Sequence, residues 1–126
     1  MLDLSINLGE IFLISTPIKP HYFVSIAKIN DNKYLFVSFI TKKPKSELAC
    51  VFKPSYLTPS FIVRETVIDY KSAKELNLKQ LKIAVGDNSF RECCRSEILK
   101  QIQQGGLRSK RLKNKYKNIL KNIIYE

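Results

Sequence analysis

The chain has a single histidine, His21, which follows directly on Lys19-Pro20. Histidine suits proton transfer because its unperturbed pKa is about 6.5. Lysine suits the charge that develops on a phosphoryl group. Thr41 closes a later apolar run, and a threonine hydroxyl can donate to a phosphate oxygen. Lys42, Lys43 and Lys45 come straight after it. These residue types fit work on a phosphodiester. RNA cleaves itself when a 2′-hydroxyl attacks the adjacent phosphorus. A base for the hydroxyl, a cation for the phosphoryl charge and an acid for the leaving oxygen all help.

The other end of the chain has the charge to hold such a substrate. From Leu107 to Glu126 there are seven Lys/Arg (Arg108, Lys110, Arg111, Lys113, Lys115, Lys117, Lys121) against one acid, a net +6 of the chain's +11. Leu112, Tyr116, Ile119, Leu120, Ile123 and Ile124 recur at helical spacing, so one amphipathic helix is expected over this segment. It could dock through that stripe and present a basic face to RNA or a ribosome, to an acidic protein, or simply to water. The segment has no Trp or Phe, which argues against a membrane-surface role.

Other chemistries find less to work with. The cysteines are odd in number, and Cys93 and Cys94 are adjacent, which disfavours an ordinary disulfide. His21 is far from all three in sequence and no second pair has zinc spacing, so no metal site is expected. Reduced thiols are the simplest reading, with Cys50 a small core residue. Gly105-Gly106 lacks a phosphate-loop pattern. Glu10, Glu47, Glu65 and Asp69 are too scattered for a carboxylate–metal nuclease, and no cofactor is implied. No stretch reaches about 18 uninterrupted apolar residues and the N-terminus has no basic leader, so a soluble, cytoplasmic protein is expected.

The elements that must position these residues can be read in outline. At 126 residues the chain is expected to form one domain. Strands are expected over Glu10–Thr16, His21–Asn30, Lys33–Thr41, Leu48–Lys53 and Phe61–Lys71, with irregular chain over Pro54–Ser60. Both middle strands are apolar on both faces, which places them mid-sheet. A two-residue turn at Asp31-Asn32 would set His21 opposite position 42, beside Thr41. Ser72-Ala73-Lys74-Glu75 fits a capping box opening a helix toward Val85. A second helix from Ser96 should stop at Gly105-Gly106, ahead of the basic helix. The expected fold is α+β: a small antiparallel barrel over about residues 9–71, then a helical extension over about 72–126.

Three short motifs resemble the MazF/PemK family of toxin endoribonucleases over about half the chain. Gly9-Glu10-Ile11-Phe12 opens a first strand, as a Gly-acidic-Ile/Val motif does there. Lys19-Pro20-His21 runs into Tyr22-Phe23-Val24-Ser25-Ile26, where the family has Arg-Pro before its second strand. Phe39-Ile40-Thr41 ends the third strand, where the family has a Pro-(Ile/Leu)-Thr type of ending. The resemblance implies an SH3-like β-barrel, usually a homodimer. It implies metal-independent cleavage of single-stranded RNA, restrained by an acidic antitoxin. The family's threonine carries over to Thr41. Its arginine has no strict match, its place being taken by Lys19 or His21, and Ser38-Phe39 stands where the family's proline would be.

The expected catalytic set is therefore His21 for proton transfer, Lys19 for the phosphoryl charge and Thr41 for positioning. Lys42, Lys43, Lys45, Arg108, Lys110, Arg111, Lys113, Lys115 and Lys117 are the expected RNA contacts. Tyr22, Tyr56 and Phe61 suit either base stacking or packing. The alternatives are a non-catalytic nucleic-acid-binding module on the same barrel, and a protein-interaction domain for an acidic partner.

Overall fold

The structure of the protein, a computed structural model, describes residues 6–87 and 90–125. Strands β2 (His21–Asn30) and β3 (Lys33–Thr41) form the expected hairpin around Asp31-Asn32. Glu10–Ile14 is β1, Val51–Phe52 is β4, Thr66–Asn77 is β5 and Arg91–Cys93 is β6. The helices are α1 (Leu78–Val85), α2 (Ser96–Arg108) and α3 (Asn114–Ile124). The strands form one curled antiparallel sheet in the order β4-β5-β3-β2-β1-β6, a half-barrel with helices on both faces. The architecture is thus α+β.

Two-faced burial explains the position of the hairpin. Val24, Val37 and Phe39 point to one face and pack with Ile11, Ile68 and Tyr70 beneath Ile98 and Ile102 of α2 and Tyr116 and Leu120 of α3. Phe23 and Phe36 point to the other and pack with Phe12, Ile14 and Leu81 of α1. Each fully buried apolar side chain of this size stabilises the fold by about 1.5–3 kcal/mol. That preference fixes which residue faces which way.

The ladders are not uniform. Ser25 pairs with Phe36 and Ala27 with Leu35, so Ile26 is an extra residue in β2. Its carbonyl is met by Gln103 Nε2 of α2 at 2.9 Å, which satisfies a buried acceptor and ties α2 to the bulge. A larger irregularity lies between β3 and β5. Phe36 pairs with Lys74 and Ser38 with Asp69, so Val37 alone faces residues 70–73. Tyr70 turns inward from this bulge and donates to the Ile102 carbonyl at 2.6 Å.

Several boundaries differ from the sequence reading. β1 ends at Ile14, short of Thr16, and β4 covers only Val51–Phe52. β5 begins at Thr66, not Phe61, and runs through Ser72–Glu75, where a helix start was expected. Pairing with β3 outweighs the local capping signal there, and the capping box forms at Asn77 and Gln80 instead, with hydrogen bonds of 2.7 and 2.9 Å. Strand β6 comes from a stretch that carried no clear sequence signal.

The basic segment is not one helix. Ser109, fully buried, interrupts it: its hydroxyl accepts from the Arg111 and Leu112 N–H groups and donates to Glu47. α2 does not stop at Gly105-Gly106 but runs through both glycines to Arg108. They are small for packing reasons. A Cβ on Gly105 would come within 2.8 Å of Cys50 Cβ, and one on Gly106 within 2.6 Å of Leu120 Cδ1. No helix among the described residues is long and apolar enough to cross a membrane.

Alanine normally stabilises a helix interior relative to glycine by roughly 0.8–1.0 kcal/mol. Here the added methyl has nowhere to go. Gly105→Ala is expected to destabilise the protein by about 1–3 kcal/mol, seen as a lower urea midpoint.

Candidate functional site

Beyond the helices, the sheet opens where β2 begins and β3 ends. A cavity of about 290 Å³ lies there, lined by Lys19, His21, Thr41 and Lys43, with Tyr22 and Phe39 among the apolar walls. Lys19, Thr41 and Lys43 are exposed and His21 is half-buried. The loop holding Lys19 is closed by Thr16, whose hydroxyl accepts from the Lys19 N–H at 3.2 Å. All three expected catalytic residues therefore border one opening.

Their arrangement differs from the simple hairpin expectation. The β2–β3 register shifts twice between the turn and the strand ends, so that Tyr22 pairs with Phe39. The shift brings His21 level with Ile40, not with position 42. Side chains alternate along a strand, so His21 and Thr41 lean toward opposite faces. They reach the same cavity because it lies at the rim of the sheet. On Thr41's side, Thr41 pairs with Thr66, and Arg64 and Val63 border a smaller cavity of about 150 Å³.

His21's side holds three residues that sequence reading did not connect with it. Asp69, Ser72 and Lys74 of β5 line a second cavity of about 270 Å³, of which His21 and Ile40 are also walls. Ser72 Oγ donates to Asp69 Oδ2 at 2.6 Å. The Lys74 ammonium lies 4.7 Å from the Phe23 ring centre, a cation–π contact. Burial lowers the His21 pKa below its ordinary value; Lys19 adds to this and Lys74 more weakly, while Asp69 opposes. Neutral imidazole, the form able to accept a proton, is thereby favoured near pH 7.

Of the expected RNA contacts, only Lys43 lines the first cavity. Lys42 pairs with Glu65 at 3.5 Å. Lys45 is exposed, and its carbonyl accepts from Arg111 Nη2 at 3.2 Å. Arg108 Nη2 donates to the Ala49 carbonyl at 2.9 Å, and Glu47 accepts from the Lys110 N–H at 2.8 Å. The Lys42–Glu47 loop and the start of the basic segment are thus fastened together. Lys113, Lys115 and Lys117 lie further on, at or within α3, where Lys115 pairs with Glu75 at 3.3 Å. Glu75 also accepts from Tyr116 Oη at 2.7 Å.

Most of the aromatic candidates are engaged in packing. Tyr22 stacks on Phe61 with ring centres 3.8 Å apart, and Phe39 meets Phe61 edge-on. Tyr56 is 88% exposed. Cys50 is buried, and burial pushes its thiol up to about 11. Burial likewise pushes Cys94 up to about 12, so neither thiol supplies thiolate near neutral pH. Among the described residues no three His, Cys, Asp or Glu side chains converge as metal ligands. Compared with known proteins, the chain matches no family model, no curated protein and no solved structure.

The His21 environment gives a direct test. Its NMR titration midpoint is expected below about 6.5. It should rise in Lys19→Ala and fall further in Asp69→Asn. Because the folded-state value is the lower one, His21's contribution to stability should be fully present above the unfolded value. It should be lost as pH falls through 6.5 toward the folded value.

Proposed function

We propose that this protein is a MazF/PemK-like endoribonuclease on an SH3-like barrel, acting in the cytoplasm on single-stranded RNA without a metal. What supports the reading is the convergence of Lys19, His21, Thr41 and Lys43 around one open cavity at the strand ends. Residues from two loops and two strands meet there, in the combination that phosphodiester transfer needs.

In this reading neutral His21 takes the proton of the 2′-hydroxyl, and the 2′-oxygen attacks phosphorus. The bond from phosphorus to the 5′-oxygen breaks, and that oxygen receives a proton from the imidazolium or from water. The products are a 2′,3′-cyclic phosphate and a 5′-hydroxyl. Lys19 and Lys43 offset the charge on the phosphoryl oxygens, and the Thr41 hydroxyl donates to one of them. Approach from two faces suits a phosphate seated at the rim. The basic loop and the start of the basic segment, joined through Lys45, Ala49 and Glu47, carry the flanking backbone. An acidic antitoxin over that basic surface, and a homodimer, belong to the same proposal.

A second reading, a nucleic-acid-binding module without catalysis, is favoured by the exposed Lys110 and Arg111 fastened to the Lys42–Glu47 loop and by the exposed Lys113 at the start of α3. Deleting the C-terminal segment would not test it cleanly, because Leu112, Tyr116 and Leu120 belong to the core. Neutralising side chains does. Lys110→Gln with Lys113→Gln is expected to reduce the salt dependence of RNA binding, by about 0.7 in log–log slope for each phosphate no longer neutralised. An unchanged slope would take these lysines out of the interface.

Cleavage separates the two readings. With a long single-stranded RNA in EDTA, the wild type should cut at particular sites. His21→Ala should cut at least about 100-fold more slowly while still binding RNA. Undiminished cleavage by His21→Ala would remove the histidine from the mechanism, and binding without cleavage would favour the second reading.

A further inference from the structure

The second cavity lies on the other side of His21 from the proposed phosphate site, and it offers recognition chemistry. The three-residue excess in β5 turns Ser72 back alongside Asp69. Ser72 occupies one carboxylate oxygen, Oδ2. The other, Oδ1, has no hydrogen-bond partner among the described residues. Lys74, two residues on, has no acid within ion-pair distance among the described residues; its ammonium rests over Phe23. A bare acceptor and a bare donor thus border one partly apolar cavity of about 270 Å³. Ligand pockets usually begin near 300 Å³, so this one suits a single flat heterocycle.

We propose that this cavity holds the base of an RNA nucleotide next to the scissile phosphate, with guanine preferred. The inference rests on the ribonucleic-acid reading of the neighbouring site. Both cavities are walled by His21 and Ile40, so a nucleotide passing across the rim can place its phosphate on one side and its base on the other. Guanine presents two adjacent donors, N1–H and N2–H, and one acceptor, O6, on its pairing edge. One donor matches Oδ1, the other the remaining lone pair of Oδ2 beside Ser72, and the acceptor matches the Lys74 ammonium. Adenine, cytosine and uracil each offer one donor fewer to the carboxylate in this pose. A matched bidentate contact discriminates by about 1–3 kcal/mol, roughly 5- to 150-fold in affinity.

The test uses the full-length protein and four labelled six-nucleotide RNAs, identical except for one central G, A, C or U. Each carries 2′-O-methyl ribose throughout, so no free 2′-hydroxyl is present to attack and cleavage cannot interfere. Fluorescence anisotropy should show at least fivefold tighter binding of the G oligonucleotide. In Asp69→Asn, and independently in Lys74→Met, the ratio of G to U affinity should fall toward one. Circular dichroism would establish that both variants are folded. Equal affinity for all four in the wild type, or a G preference that survives both substitutions, would overturn the base-binding inference alone. Failure to bind any of the four would overturn it together with the nucleic-acid reading.

Discussion

The pairing of β2 with β3 is the constraint on which the rest of the structure depends. Both strands are buried on both faces, so each position in the register commits one side chain to the α2–α3 side and the next to the α1 side. The extra residue at Ile26 and the second shift near the turn advance the strand ends relative to one another. That offset sets Tyr22 against Phe39 and brings His21 level with Ile40, while strand alternation puts His21 and Thr41 on opposite faces at one rim. A strict two-residue hairpin without bulges would have moved His21 away from Ile40 and from the pocket formed with Asp69 and Lys74.

The helical half of the chain serves this geometry from behind. Gln103 satisfies the carbonyl that the Ile26 bulge frees, and Tyr70 reaches α2 from the β5 bulge. Two irregularities in the sheet are thus stabilised by one helix, which lies close enough to need glycine at positions 105 and 106. From its end the chain turns at Ser109, held by Glu47, and the basic residues that follow are set beside the Lys42–Glu47 loop. The positive charge of the C-terminal segment is thereby attached to the end of β3, near the cavity.

Much of the central sheet was legible in the sequence, because a run such as Lys33–Thr41 can satisfy its two apolar faces only mid-sheet. The bounds of β2 and β3 follow from that and from the turn residues between them. Long-range effects were not legible. Ser72–Glu75 has the local signature of a helix start, yet it pairs as a strand because β3 offers it partners. Gly105-Gly106 has the local signature of a helix end, yet it lies within a helix because Cys50, Tyr70 and Leu120 leave no room for a larger residue. Lys19, His21 and Thr41 could be grouped from the hairpin, whereas Asp69 and Lys74 join His21 only through the β3–β5 register, which no local pattern announces.

In the proposed function, phosphodiester transfer occurs at the rim between His21 and Thr41, with the 2′-oxygen as nucleophile. The chemistry of the fragment ends tests this most directly. RNA cut by the purified protein should carry 2′,3′-cyclic phosphate on one fragment and 5′-hydroxyl on the other, and replacing the ribose at a cut site by deoxyribose should abolish cutting there. Fragments ending in 3′-hydroxyl and 5′-phosphate, or cutting that persists at the deoxyribose, would mean that water attacks the phosphorus and would rule out 2′-oxygen transfer at this rim.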